Sequence, residues 1–379
     1  MHRNCPFAAL ILIFSPLLLQ AQLDKIVIPA GTPEDVALTS IANEQDPQKK
    51  LAMYQDFLQQ FSSNPAAVAY GNWQLAQAYQ TTGDLAKALE YGDKALAASP
   101  HNLDILVSQA NIAQQMKSNA KLVEYAARGG EAFNSIAKQP KPDTMSDQDF
   151  ANQVEGEKNS ARGSYDFLEA AAFNAIADEK DPKARMFYIE RFTAAFPDSR
   201  FGDQVAQYAM YTLGPGQLND PARLVAYGDK ALATNPNNIA TLLLMANHYV
   251  EETKPTSISK AVSYSEKVIT LSKADAPDAD QARKLSAGVA HSTLGYALMK
   301  QDKTAAAIPH LKSASELLKG HDDVAYATAL YRLGWGYAKL NRVTEAREVL
   351  SEAVKISGPI QQPAQDLLAK VNAARAKGK

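Results

Sequence analysis

The chain has 379 residues, room for two or three ordinary domains or one long solenoid, and its 46% hydrophobic content is ample for a continuous core. A formal net charge of -2 supplies no basic face and argues against nucleic acid as a partner. The only cysteine, Cys5, precedes an apolar run, so a chain cleaved after that run has no disulfide and no thiolate metal site, and a lipid anchor would lack its cysteine.

In chain order, His2 and Arg3 open a short polar start, Pro6 to Leu19 are uncharged and apolar, and Leu19-Gln20-Ala21 ends on a small residue. This pattern predicts an export signal over residues 1–21, cleaved before Gln22. The run is short for a membrane span of roughly 20 residues. The expected location is therefore periplasmic or secreted, the alternative being an inner-membrane anchor formed by an uncleaved signal. Nothing later in the chain is apolar for long enough to span, so no integral membrane segment is expected after cleavage.

Leu23 to Gly31 reads as a short extended arm. Thr32-Pro33-Glu34-Asp35 then opens a helix, with a capping Thr, a first-turn Pro and acids near the positive end of the helix dipole. Asp46-Pro47, Asp181-Pro182 and Asp220-Pro221 repeat the Asp-cap and Pro device. The heptapeptide Tyr91-Gly92-Asp93-Lys94-Ala95-Leu96-Ala97 recurs as Tyr227-Gly228-Asp229-Lys230-Ala231-Leu232-Ala233, and both copies run into a proline and asparagine turn. Asp46 to Phe61 and Asp181 to Phe196 also match at nearly the same offset, so the duplicated unit is several helices long.

From Ala69 to Asn102 the chain places Leu75-Ala76, Tyr79, Gly83-Asp84, Ala88, Ala95 and Pro100 in a pattern of about 34 residues. Leu75 and Tyr79 lie one turn apart and face the partner helix, while Ala76 and Ala88 let two helices approach closely. Leu294-Gly295 with Leu298, Ala307, Leu311 and Ala314, and Leu333-Gly334 with Tyr337, Ala346, Leu350 and Ala353, repeat the scheme. These stretches resemble the tetratricopeptide repeat family. The resemblance implies an all-α fold, a right-handed α-solenoid of antiparallel helix hairpins. Departures are Gly92 and Gly228 where an aromatic is usual, the turn-breaking Leu213-Gly214-Pro215-Gly216, and Pro309 inside a predicted helix.

Gln139-Pro140-Lys141-Pro142-Asp143 is a turn-rich connector, followed by a polar helix from near Ser146 to about Asp178 with a capping box at Ser146 and Asp149. The expected organisation is repeats over 22–138, a connector and second repeat unit over 139–275, and C-terminal repeats with a capping helix over 276–379. That last helix, from Pro363 to Lys377, carries Leu367, Leu368 and Val371 on one face.

Chemistry is hard to place on this chain. His101, His248, His291, His310 and His321 are scattered singly, without metal-ligand spacing. Ser118-Lys121 and Ser257-Lys260 match a Ser-x-x-Lys spacing, but their serines fit helix caps and the companion motifs of acylating enzymes are missing. Neither a Gly-x-Ser-x-Gly elbow nor a phosphate-binding Gly-Lys-Ser/Thr loop is present. Paired acids among Glu34, Asp35, Glu155, Glu157, Glu251 and Glu252 read as helix surface. The expectation is no catalytic residue, no cofactor and no metal.

The family's first helices line its concave face. Together with helix periodicity, the resemblance puts Tyr70, Trp73, Gln77 and Gln80 there in the first unit, and Tyr296, Tyr331, Trp335 and Lys339 in the last two repeats. Trp and Tyr bury much area at little entropic loss, which suits a partner groove. The same side chains also suit gaps between neighbouring helices. Some family members hold a chaperone's C-terminal carboxylate with Lys and Asn. Here aromatics and glutamines occupy most of those positions, which favours a peptide or helix laid along the groove. The function expected is a non-enzymatic protein- or peptide-binding scaffold acting after export. The alternatives are an envelope or outer-membrane assembly component and a cell-wall enzyme with a helical superhelix.

Overall fold

The computed structural model describes residues 23–377, with side chains to residue 373. The segment expected to be the signal, with Cys5, lies outside the described residues. Among the described residues there are seventeen α-helices, one 3-10 turn and no strand. They are α1 (Pro33–Asn43), α2 (Pro47–Gln60), α3 (Pro65–Thr81), α4 (Leu85–Ala98), α5 (Leu103–Gln115), α6 (Asn119–Ser135), α7 (Asp147–Asp178), α8 (Pro182–Ala195) and α9 (Gly202–Leu213). After them come α10 (Pro221–Thr234), α11 (Ile239–Glu251), α12 (Pro255–Ser272), α13 (Gln281–Lys300), α14 (Thr304–Leu318), α15 (Asp323–Lys339), α16 (Val343–Ala353) and α17 (Gln361–Lys377). None is long and apolar enough to cross a membrane.

The chain divides into two compact units, the first running to Asp178 and including Glu190–Pro197, the second holding Glu179–Ile189 and everything from Asp198. In the first unit α3 pairs with α4 and α5 with α6, and α7 packs on α5 and α6. Side-chain caps start these helices: Thr32, Asp46, Asn64, Asp84 and Asn102 each accept a backbone N–H of the following first turn. Leu75, Ala76, Ala88 and Ala95 are wholly buried, as small residues at a close helix crossing must be. Tyr79 stacks on Tyr91 with ring centroids 5.3 Å apart. Ser146 caps α7, accepting from the Asp149 N–H at 3.1 Å and donating to its carboxylate at 2.7 Å.

In the second unit the hairpins α9–α10, α11–α12, α13–α14 and α15–α16 follow one another, and α17 closes the array against α16 and α15. Val371 of α17 is buried there, with Leu367 and Leu368 packed beside it. Pro309 does not end α14, which runs through it. The Gly214-Pro215-Gly216 stretch does stop α9 at Leu213, and the chain regains helix only where Asp220 caps α10.

The twin heptapeptides take equivalent places on α4 and α10, each the second helix of a hairpin. A Cβ at Gly92 would lie 1.9 Å from Gln109 Oε1 of α5, and one at Gly228 would lie 2.3 Å from Met245 Sδ of α11. Each glycine therefore admits a side chain from the next hairpin where the family usually keeps an aromatic. Two serine caps are corrected. Ser118 starts α6 without a side-chain cap bond, and Ser257 lies inside α12, where its hydroxyl donates to Glu252 at 2.6 Å.

Candidate functional site

In the first unit Trp73, Gln77 and Gln80 share one face of α3, at helical spacing. Opposite them α5 presents Asp104, Val107, Ser108, Asn111 and Gln115, and the space between is about 430 Å³. The spacing of that α5 row is itself helical, a signal present in the sequence. Carboxamides offer donor and acceptor on one side chain, as a peptide backbone does. The Trp73 ring is half-buried, and its Nε1–H is buried without an acceptor. An adjoining cavity of about 650 Å³ is lined by Tyr70 and Trp73 of α3, the start of α5, and Gln153, Glu157 and Ser160 of α7. The structure thus brings Tyr70, Trp73, Gln77 and Gln80 to one continuous trough, with Trp73 and Asp104 lining both parts.

The arm crosses this cavity as one of its walls, through Leu23, Asp24, Lys25 and Ile26. Asp24 accepts the backbone N–H of His101 at 2.7 Å, and Asn102 Nδ2 donates to the Asp24 carbonyl at 3.0 Å. The His101 ring nitrogen stands 3.7 Å from the same carboxylate. Asp24, Ile26 and Ile28 are half-buried, while Lys25, Val27 and Pro29 are exposed. That period-two alternation is what an extended strand laid on a surface produces.

In the second unit Tyr296 of α13 and Trp335 of α15 stand with ring centroids 5.8 Å apart, and Lys339 Nζ lies 5.8 Å from the Trp335 ring. These two rings and Tyr331 are half-buried against the core of the last hairpins. Lys339 also reaches the Met299 carbonyl at 3.4 Å and Asp302 at 3.5 Å. Lys300 lies 5.0 Å from the Tyr296 ring and donates to the carbonyls of Val250 and Glu252.

Beside this cluster is a cavity of about 430 Å³ with apolar walls, including Leu224, Leu244, Val289 and Leu318, and a polar edge of Asn247, His248, Glu251, Ser292, Thr293 and Arg332. Arg332 donates to Ser292 at 3.1 Å, covers the Tyr296 ring at 4.6 Å and approaches Glu251 at 3.8 Å. Burial pulls the guanidinium pKa down, and Glu251 opposes that shift. His248 Nε2 lies 3.3 Å from Glu252 but makes no aligned hydrogen bond. The sequence reading singled out none of this edge as a site. Glu251, Ser292 and Arg332 sit about one repeat apart on successive first helices, so only the repeat register connects them.

The histidines read as scattered prove paired in one case: His291 of α13 and His310 of α14 meet at 3.0 Å between their Nδ1 atoms. Among the described residues no group of three or more His, Cys, Asp or Glu side chains is placed to hold a metal.

Two tetratricopeptide repeat family models match the chain, one over residues 69–102 in the first unit and one over residues 286–357 in the second. No curated protein matches it. Among solved structures, PilW, a widely conserved type IV pilus biogenesis factor, is 18% identical, covering 80% of this chain and 98% of its own, at a TM-score of 0.35. The tetratricopeptide repeat domain of P58(IPK) is 14% identical, covering 82% of this chain and 99% of its own, at 0.28. Yeast Tom70 is 13% identical, covering 91% of this chain and 95% of its own, at 0.21. The chain carries tetratricopeptide repeats over these two stretches, and they support a protein–protein interaction scaffold.

Proposed function

We propose that the chain is an exported, non-enzymatic scaffold that binds an extended peptide segment of a partner protein in the trough between α3 and α5. The observation that carries this reading is Trp73, a half-buried indole that lines both of two open spaces edged by carboxamides. Tyr296, Tyr331, Trp335 and Lys339 are proposed as the corresponding face of the second unit. Export rests on the apolar run before Ala21, and N-terminal sequencing of the protein recovered from its native cell tests it, Gln22 being the first residue expected.

The binding test is a displayed library of random peptides selected on the purified chain, with the enriched peptides then measured on Trp73→Ala and Trp335→Ala. A loss of about tenfold or more on Trp73→Ala, with helicity unchanged by circular dichroism, is the expected result. Peptides that bind both variants as well as the parent would remove the groove from consideration. A Trp335→Ala variant that only melts earlier would return Trp335 to the core.

A further inference from the structure

One side of the first unit's trough is already taken by the chain's own arm. The arm lies across it in extended form, with Asp24, Ile26 and Ile28 turned inward and Lys25, Val27 and Pro29 turned out. Its contacts are those of a bound peptide. A carboxylate accepts a backbone N–H at the start of α5, a side-chain amide from the helix cap reads the arm's own carbonyl, and aliphatic residues alternate onto the surface. Beyond Gly31 and the cap at Thr32 the arm continues directly into α1, so it is tethered to the unit it covers.

We infer that the arm is a built-in competitor for the peptide trough, and that the partner segment it stands in for is extended and patterned acidic–x–aliphatic–x–aliphatic. This rests on the groove reading proposed above and gives it a ligand chemistry. A tethered occupant acts at an effective concentration on the order of millimolar. The stretch of trough that the arm covers is therefore closed to weak or mismatched segments, and only a segment that reproduces the Asp24 and Ile26 contacts displaces the arm. The arm leaves the trough beside Trp73, Gln77 and Gln80 uncovered, since none of its residues lines that space. A partner longer than the arm gains contacts there that the arm cannot make.

The test compares the intact chain with Asp24→Ala/Ile26→Ser, which releases the arm and leaves the helices untouched. The probe is a fluorescein-labelled peptide of the arm sequence from Leu23 to Pro29, followed by fluorescence anisotropy. A spin label on Val27→Cys, an exposed arm position, reports that the arm has left by becoming more mobile in the variant. The expected result is at least tenfold tighter peptide binding by the variant than by the intact chain, and at least fivefold weaker binding when the peptide's aspartate is replaced by alanine. Equal affinity for both chains, with the label at position 27 showing release, overturns the inference. Should the double variant lose helicity, Asp24→Ala alone carries the same comparison. Library peptides that need Trp73 yet bind intact and released chains alike sink the competitor and leave the groove standing. The absence of any Trp73-dependent peptide on either chain sinks the groove itself.

Discussion

Gly92 and Gly228 show how much one missing methyl can decide. In an isolated helix Gly→Ala gains roughly 0.5–1 kcal/mol, but at Gly92 the new carbon meets Gln109, whose side chain is wholly buried and donates to the Leu89 carbonyl at 2.9 Å. Gly92→Ala is expected to destabilise by about 1–3 kcal/mol in urea unfolding, and Gly92→Ala/Gln109→Ala to recover part of the loss. Gly228→Ala meets the thioether of Met245, which repacks more readily, so its cost should be the smaller of the two. The twin asparagines allow a parallel comparison. Asn102 and Asn238 cap α5 and α11 with the same 3.0 Å bond, but only Asn102 also holds the arm. Each Asn→Ala change should cost about 1 kcal/mol for the cap, and only Asn102→Ala should also speed exchange of the His101 amide, which the arm's Asp24 accepts.

At the scale of elements, the α13–α14 hairpin contains a pH-dependent contact. The facing Nδ1 atoms of His291 and His310 are bonded only while one Nδ1 carries a proton and the other does not. Burial, and next the neighbouring His310, hold His291 down at about 4, and burial lowers His310, with Asp275 and Glu266 acting in the opposite direction. Both groups resist protonation in the folded chain more than in the unfolded one. Their contribution is therefore complete above the ordinary histidine range near 6.5, and it is lost as pH falls toward 4. Both rings are partly exposed, so the expected loss is on the order of 1–2 kcal/mol, read as faster exchange in α13 and α14 between pH 6.5 and 4. His291→Leu should flatten that slope. A slope that persists unchanged would assign it to other groups.

At the scale of the whole molecule, repeat arrays are stabilised by neighbour-to-neighbour interfaces, so damage spreads from where it is made. Leu350 is wholly buried on α16 within the core of the last hairpins. Leu350→Ala is expected to cost about 2–5 kcal/mol and to remove protection from α15, α16 and α17 before it affects α9 to α12, as hydrogen exchange would show. Uniform loss across the second unit would mean that its hairpins melt together.

What could be read without coordinates was periodic or local. Thr32, Asp46 and Asp220 announce helix starts because a cap needs only its own first turn, and Leu75, Ala76 and Ala88 announce a hairpin because close crossing demands small residues at fixed spacing. The row Trp73, Gln77 and Gln80 follows from the same helical period. Ser257 misled because a favourable capping residue does not say where a helix begins, and Pro255 starts α12 two residues earlier. The return of the arm onto α5, the meeting of His291 with His310, and the polar edge formed by His248, Ser292 and Arg332 were decided by tertiary structure alone. Each joins side chains from separate elements, and the distance between such atoms is set by how whole helices pack rather than by any spacing along the chain.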